Sequence, residues 1–207
     1  MKNRKPERVR LSREALVDVI GIPAKMADYT LDDFYAETYE RRKMKKFVTE
    51  YIENLHENFD EGRGLYITGS NGVGKTFIAS LILKEAYRLR YSCKRVTFME
   101  YCERYQRARE AFGESKDFLV GELYTNYKSV DFLVLEEIGK DTDNMTRTIP
   151  IFEDLMRYRE DKGLVTIIAT NISAREFSEI YGKSLYSIIR GSLSLLNVED
   201  DDMRRKK

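Results

Sequence analysis

A chain of 207 residues has room for one domain with a small appendage, and a hydrophobic fraction of 42% can fill its core. With 34% charged residues but a net charge of +1, the chain is no polycation, so any nucleic-acid contact must come from local patches. Two cysteines, Cys93 and Cys102, and one histidine, His56, exclude a disulfide framework and a zinc cluster, and no apolar run approaches the ~18 residues of a membrane span.

Residues 1–20 open as a basic arm (Lys2, Arg4, Lys5, Arg8, Arg10) that runs into a short amphipathic segment with Leu11, Ala15, Leu16, Val19 and Ile20 apolar. Such a stripe is either a frayed tail or a docking peptide in need of a cover. The charged N-terminus has no signal-peptide core, and the expectation is a cytoplasmic protein without membrane contact. Gly21-Ile22-Pro23 breaks the segment, because proline cannot continue a helix, and sets the expected boundary between the arm, 1–20, and one domain, 21–207. A lead-in with aromatic residues flanking polar ones, Tyr29 to Phe34, follows. Glu37 to Phe59 reads as one long helix with Phe47, Tyr51, Ile52 and Leu55 inward, and its charge run (Arg41, Arg42, Lys43, Lys45, Lys46) reads as a solvated face. His56 falls on that helix as a surface residue.

Gly64 to Thr68 is a short β-prone run, and it leads into Gly69-Ser70-Asn71-Gly72-Val73-Gly74-Lys75-Thr76. This octet fits the phosphate-loop pattern G-x-x-x-x-G-K-[ST] without a mismatch. The glycines let backbone N–H groups curl around phosphate oxygens, Lys75 reaches the β/γ-phosphates, and the Thr76 hydroxyl can ligate Mg²⁺. A helix starting at Phe77 points its positive end at the same phosphates. Strand, loop and helix in this order predict a site for a nucleoside triphosphate with Mg²⁺.

Lys94 to Met99 is the next expected strand, followed by a helix from Glu100 to about Ala111. There Arg104, Arg107 and Arg109 interleave with Tyr101 and Tyr105, a mixture that suits single-stranded nucleic acid and equally an ordinary surface helix. Phe118 to Tyr127 reads as another amphipathic helix. Asp131 to Leu135 is an apolar strand ending in Glu136-Glu137, which places two carboxylates at the edge where α/β sheets bind ligands. One carboxylate would hold Mg²⁺ and its neighbour would orient the attacking water. A helix runs from Met145 to Lys162, interrupted or begun near Pro150, and the strand Leu164 to Ala169 ends in Thr170-Asn171. Asn171 at that tip can hydrogen-bond the γ-phosphate or the lytic water. Ser173 and Glu176 form a capping box for Ala174 to Tyr181, and a last short helix, Ser184 to Ile189, precedes a strand from Leu193 to Val198. Roughly five strands alternating with helices predict a parallel α/β sheet of the P-loop NTPase type with helices on both faces and no separate lid domain.

Assembled, these residues resemble the AAA+ (ASCE-type) ATPases of the DnaC/DnaI helicase-loader group, sister to the IstB transposition ATPases. The resemblance runs from about Gly21 onward and rests on IPAKMADYTLDDF, LYITGSNGVGKTFIA, DFLVLEEIGKD, VTIIATN and IYGKSLYSIIRG. It implies that Gly69 to Thr76, with Phe77, bind ATP, that Glu136 takes the Mg²⁺ position, that Glu137 is the catalytic base and Asn171 the first sensor. It also places Ile22 to Phe34 by the adenine. It further implies an ATP-dependent homo-oligomer that binds single-stranded DNA and loads the replicative DNA helicase. The chain departs from the group in three places. Glu136 stands where aspartate is usual. Ile188 occupies the register of the trans-acting arginine, with Arg190 beyond it and Lys183 a weaker substitute. A helicase-binding N-terminal domain is replaced by residues 1–20. Arg204, with Arg205 beside it, matches the second sensor. Two alternatives stand beside the loader: an IstB-like ATPase that coats duplex DNA, and a nucleotide-gated adaptor with little hydrolysis.

Overall fold

The computed structural model of the protein describes residues 11–139 and 145–198. The strands are β1 (Gly64–Thr68), β2 (Cys93–Thr97), β3 (Phe132–Ile138), β4 (Val165–Thr170) and β5 (Leu193–Asn197). They form one sheet in the order β2-β3-β4-β1-β5 with every pairing parallel. Parallel neighbours cannot be joined by tight turns, so each crossover carries a helix. The helices are α1 (Tyr39–Glu53), α2 (Leu55–Asp60), α3 (Lys75–Arg88), α4 (Phe98–Glu110), α5 (Gly113–Leu123), α6 (Met145–Asp161) and α7 (Ala174–Ser192). This is the five-stranded parallel α/β sheet that the alternation of strands and helices predicts. After β5 the described residues continue only to Val198.

The period of two along each strand divides the core. Leu65, Ile67, Phe132 and Val134 pack with α1 and α3, whereas Tyr66, Leu133 and Leu135 pack with α4, α6 and α7. Because β4 lies between β1 and β3, the loop after β1, the tip of β4 and the tip of β3 stand side by side.

Several elements differ from the sequence reading. The long helix breaks at Asn54 (φ −102°, ψ 25°), whose side chain donates to Glu50 O at 2.8 Å and so competes with the helical ladder. The inward face of α1 is centred on Arg41, Met44, Val48 and the expected Tyr51, with Phe47 and Ile52 half-buried against the same core. The amphipathic helix expected over 118–127 starts earlier, and α5 buries no residue at all; the chain goes inward only at Tyr127. The two helices expected after Ser173 meet at Gly182 (φ 86°, ψ 165°), and the Ser173–Glu176 capping box is present. The N-terminal stripe is covered in part by the chain itself: Leu16 and Ile20 join the α1/α3 core while Val19 stays exposed, and the Arg95 backbone N–H donates to Ile20 O at 2.7 Å, laying residues 20–21 along the free edge of β2.

Candidate functional site

The loop after β1 turns back at Gly69. A Cβ there would stand 2.2 Å from Val198 O, so only glycine lets the loop pass under the end of the sheet. α3 then begins at Lys75, and its N-terminus points into the loop it leaves. Val73 is fully buried and pins the loop to the core, while Ser70 and Asn71 are exposed. The Lys75 ammonium donates to Gly69 O and Ser70 O, both at 2.7 Å, and to Asn171 Oδ1 at 2.6 Å. Asn171 in turn donates to Asn71 Oδ1 at 2.9 Å. The β4 tip and the phosphate loop are therefore joined through side chains.

Asn171 is held from behind. Ile172 O accepts from Tyr66 OH at 3.0 Å and from Thr68 Oγ1 at 2.8 Å, and Thr170 Oγ1 donates to Ile138 O at 2.6 Å. Burial pushes the Tyr66 phenol well up from its ordinary value, which keeps it a hydrogen-bond donor.

The two acids at the end of β3 part company. The β3–β4 register shifts between Glu136 and Ile138, and Glu137 sits in that bulge with φ 62°. A left-handed residue without glycine costs on the order of 1–3 kcal/mol and marks a constrained position. The bulge turns Glu137 to the exposed side while Glu136 stays buried, 4% exposed. Both line a cavity of about 710 Å³ together with Lys75, Thr76 and Asn171.

Apolar groups share the lining of that cavity. Pro23, Met26, Tyr29, Phe34 and Phe77 line it, with the Phe77 ring 5.8 Å from Tyr29 and 5.7 Å from Phe34. The lead-in thus stands beside the phosphate loop. Asp33 caps its short 3₁₀ turn, Leu31–Asp33, by accepting from Thr30 N at 2.7 Å and Thr30 Oγ1 at 2.9 Å, and these bonds hold its carboxyl below the usual range. Lys84 reaches up from α3 to Ala27 O at 2.6 Å and to Tyr29 O; its burial lowers the ammonium from its ordinary value.

Three basic residues that the sequence reading missed build this site. Arg41 is not on a solvated face: it is 4% exposed, donates to Val73 O at 2.9 Å, and its guanidinium lies 6.0 Å from the Phe34 ring. Lys84 anchors the lead-in. Arg95, on β2, pairs with Glu136. For Lys84 and Arg95 the available signal was a basic residue inside an otherwise apolar helix or strand, whereas Arg41 sits in a charged run that carried none. Arg190, in contrast, lies exposed on α7 away from the cavity, and Arg204 lies outside the described residues.

A P-loop fold implies a divalent cation, Mg²⁺. The donors present fit it: Glu136 Oε1 is a buried carboxylate oxygen with no hydrogen-bond partner, on the same cavity wall as Thr76. No cluster of three or more His, Cys, Asp or Glu suited to a metal occurs among the described residues. One carboxylate, one hydroxyl and phosphate oxygens make the sparse set that Mg²⁺ accepts.

No protein-family model matches the chain. It is 27% identical over 136 residues to the replicative helicase loader DnaI of Bacillus subtilis, a match covering 66% of this chain and 42% of that protein. To the replicative helicase loader DnaC of Buchnera aphidicola it is 23% identical over 186 residues, covering 89% of this chain and 73% of the relative. The crystal structure of the DnaC helicase loader superposes with a TM-score of 0.72 at 21% identity, covering 84% of this chain and 99% of that one. The chain thus spans less than half the length of the DnaI it matches. The expected resemblance to the DnaC/DnaI loaders holds in sequence, and the expected fold holds in structure. Among the described residues no helix is long and apolar enough to cross a membrane.

Proposed function

We infer that the protein is an ATPase of the AAA+ type that serves as a loader of a replicative DNA helicase. The observation that carries the reading is the Lys75–Asn171–Asn71 bridge in the wall of a cavity that aromatic side chains also line. The aromatic lining suits a purine, and the loop N–H groups, the α3 N-terminus and Lys75 suit the phosphates. Lys75 would exchange its contacts to Gly69 O, Ser70 O and Asn171 for phosphate oxygens. Glu137, exposed on the wall, would orient and deprotonate the attacking water, and Asn171 would position it. Thr76 and Glu136 would hold Mg²⁺, which when bound supplies charge neutralisation on the phosphates.

The relatives' names support a helicase partner, and a cytoplasmic protein acting on DNA fits that role. Contact with single-stranded DNA needs surface aromatics for bases and cations for phosphates. Tyr101 is core, and Arg104 is paired with Glu100 and Glu122. Exposed Phe112 and Phe118, next to exposed Arg107 and Arg109, are the groups that fit. Subunits of a homo-oligomer would join across the nucleotide, with Arg190 reaching the neighbour's phosphates and Arg204 closing on its own. Residues 1–20 act in this reading as an arm whose last turn is seated on the ATPase domain, 21–207.

Size-exclusion chromatography with light scattering, on the chain and the replicative helicase of the same organism with and without ATP, tests the loader assignment. A nucleotide-sensitive complex is the expected result. Separate elution in every nucleotide state sinks it and leaves the duplex-coating ATPase, which a DNA filament assay would reveal. The Glu136–Arg95 pair favours a second reading, a nucleotide-gated adaptor with little hydrolysis; that reading predicts equal, near-zero turnover for wild type and Glu137→Gln.

A further inference from the structure

Arg95 enters the site from β2, where it stands opposite Val134 and on the same sheet face as Glu136, whose own partner across the strands is Thr97. The longer glutamate side chain reaches back along β3 to meet it. Arg95 Nη2 donates to Glu136 Oε2, Nη1 donates to Gly21 O at 3.1 Å, and its N–H donates to Ile20 O. Gly21 makes this approach possible: with φ at +88°, a Cβ there would lie 2.7 Å from Arg95 O. The guanidinium is thus fixed between the lead-in and the carboxylate, and its side chain is 19% exposed against 5% for Glu136.

The pair is incompletely satisfied. Arg95 Nε and Glu136 Oε1 are both buried without a hydrogen-bond partner. An ionised carboxylate accepts about four hydrogen bonds, so Glu136 retains capacity on the oxygen that Arg95 does not use. That capacity is what a metal would take, yet the second cation is already in place. Two cations sharing one carboxylate repel each other in a partly desolvated wall. The Gly21 carbonyl gives Arg95 an anchor that it keeps when Glu136 turns away.

We propose that Arg95 is an internal counter-ion of Glu136 that competes with Mg²⁺ for this carboxylate and raises the Mg²⁺ concentration at which the site takes metal-bound nucleotide. The proposal rests on the nucleotide-site reading above. The test is binding of a fluorescent ADP analogue, mant-ADP, to the full chain across a buffered series of free Mg²⁺, with an EDTA arm. Wild type is compared with Arg95→Met, which keeps the stem and drops the charge, and with Glu136→Asp, which withdraws the carboxylate from Arg95 and keeps a metal donor. Half-saturating Mg²⁺ is expected to fall by roughly tenfold in Arg95→Met, the scale of removing one nearby charge. It should fall in the same direction in Glu136→Asp, which covers the case that Arg95→Met does not fold. Variants that bind mant-ADP with an unchanged or higher Mg²⁺ requirement overturn the proposal and leave the pair a structural tie. Wild type that binds no mant-ADP at any Mg²⁺ concentration or in EDTA overturns the nucleotide-site reading, and the proposal with it.

Discussion

Lys75 Nζ and Asn171 Oδ1 stand 2.6 Å apart although 96 residues separate them in the chain. The contact exists because β4 is inserted between β1 and β3, so the tip of the fourth strand faces the loop after the first. Asn171 also holds Asn71 at 2.9 Å, and one amide thus reports on both ends of the phosphate loop. If Lys75 turns to a phosphate, as proposed, the Asn171 oxygen would lose its cationic donor and could accept from another group.

Asn171→Ala is therefore expected to separate binding from turnover. Lys75 keeps its two loop carbonyls, so nucleotide affinity should change little. Turnover should fall by about 10²-fold, the scale of one positioned polar group in a transition state. Parallel titration and steady-state ATPase measurements check this, and an equal loss in both would make Asn171 a binding residue rather than a sensor.

Glu137→Gln should abolish most hydrolysis, by about 10²–10⁴-fold, while nucleotide binding persists. The left-handed backbone at this residue gives a companion test. Glu137→Gly relieves the strain and removes the carboxylate, so it should be as inactive as the glutamine variant yet no less stable in thermal melts. A glycine variant with wild-type turnover would remove Glu137 from the chemistry.

Arg41→Met should cost about 1.5–3 kcal/mol, because it removes a buried, charge-assisted bond to Val73 O. The loss should appear in urea unfolding and as weaker nucleotide binding, since the loop that Arg41 supports lines the cavity. Lys43→Ala, on the exposed side of the same helix, should stay within about 0.5 kcal/mol. Equal effects of the two substitutions would contradict the placement of Arg41.

The contrast between Arg41 and Lys43 shows where the sequence stopped being informative. Local chemistry was legible: the phosphate loop, the acid pair and the β4 tip each carry their own signal within a few residues, and the parallel order follows from alternating strands and helices. Arg41, Lys84 and Arg95 act instead through carbonyls and a carboxylate far along the chain, at Val73, Ala27 and Glu136. A basic residue in a charged run looks alike whether water or a distant carbonyl satisfies it. The same holds for α5, where an apolar pattern suggested burial and the fold left Phe118 71% exposed. Asn54 misled for a related reason, since its competing bond to Glu50 O is made with its own helix and leaves the hydrophobic period intact.

Asp33 supplies a pH signature. Its carboxylate accepts from Thr30 N and Thr30 Oγ1, and these bonds lower its pKa from the ordinary 3.8. In that window the unfolded chain binds more protons than the folded one, so the stabilisation is complete above the ordinary value and disappears as pH falls through the lowered one. Wild type should therefore exceed Asp33→Asn in urea midpoint by a constant amount from neutral pH down to about pH 4, and the two should converge below it. Because the cap fixes the turn beside Phe34, the variant should also bind nucleotide more weakly at neutral pH. A midpoint difference that persists unchanged at low pH would mean that Asp33 acts through something other than its charged cap.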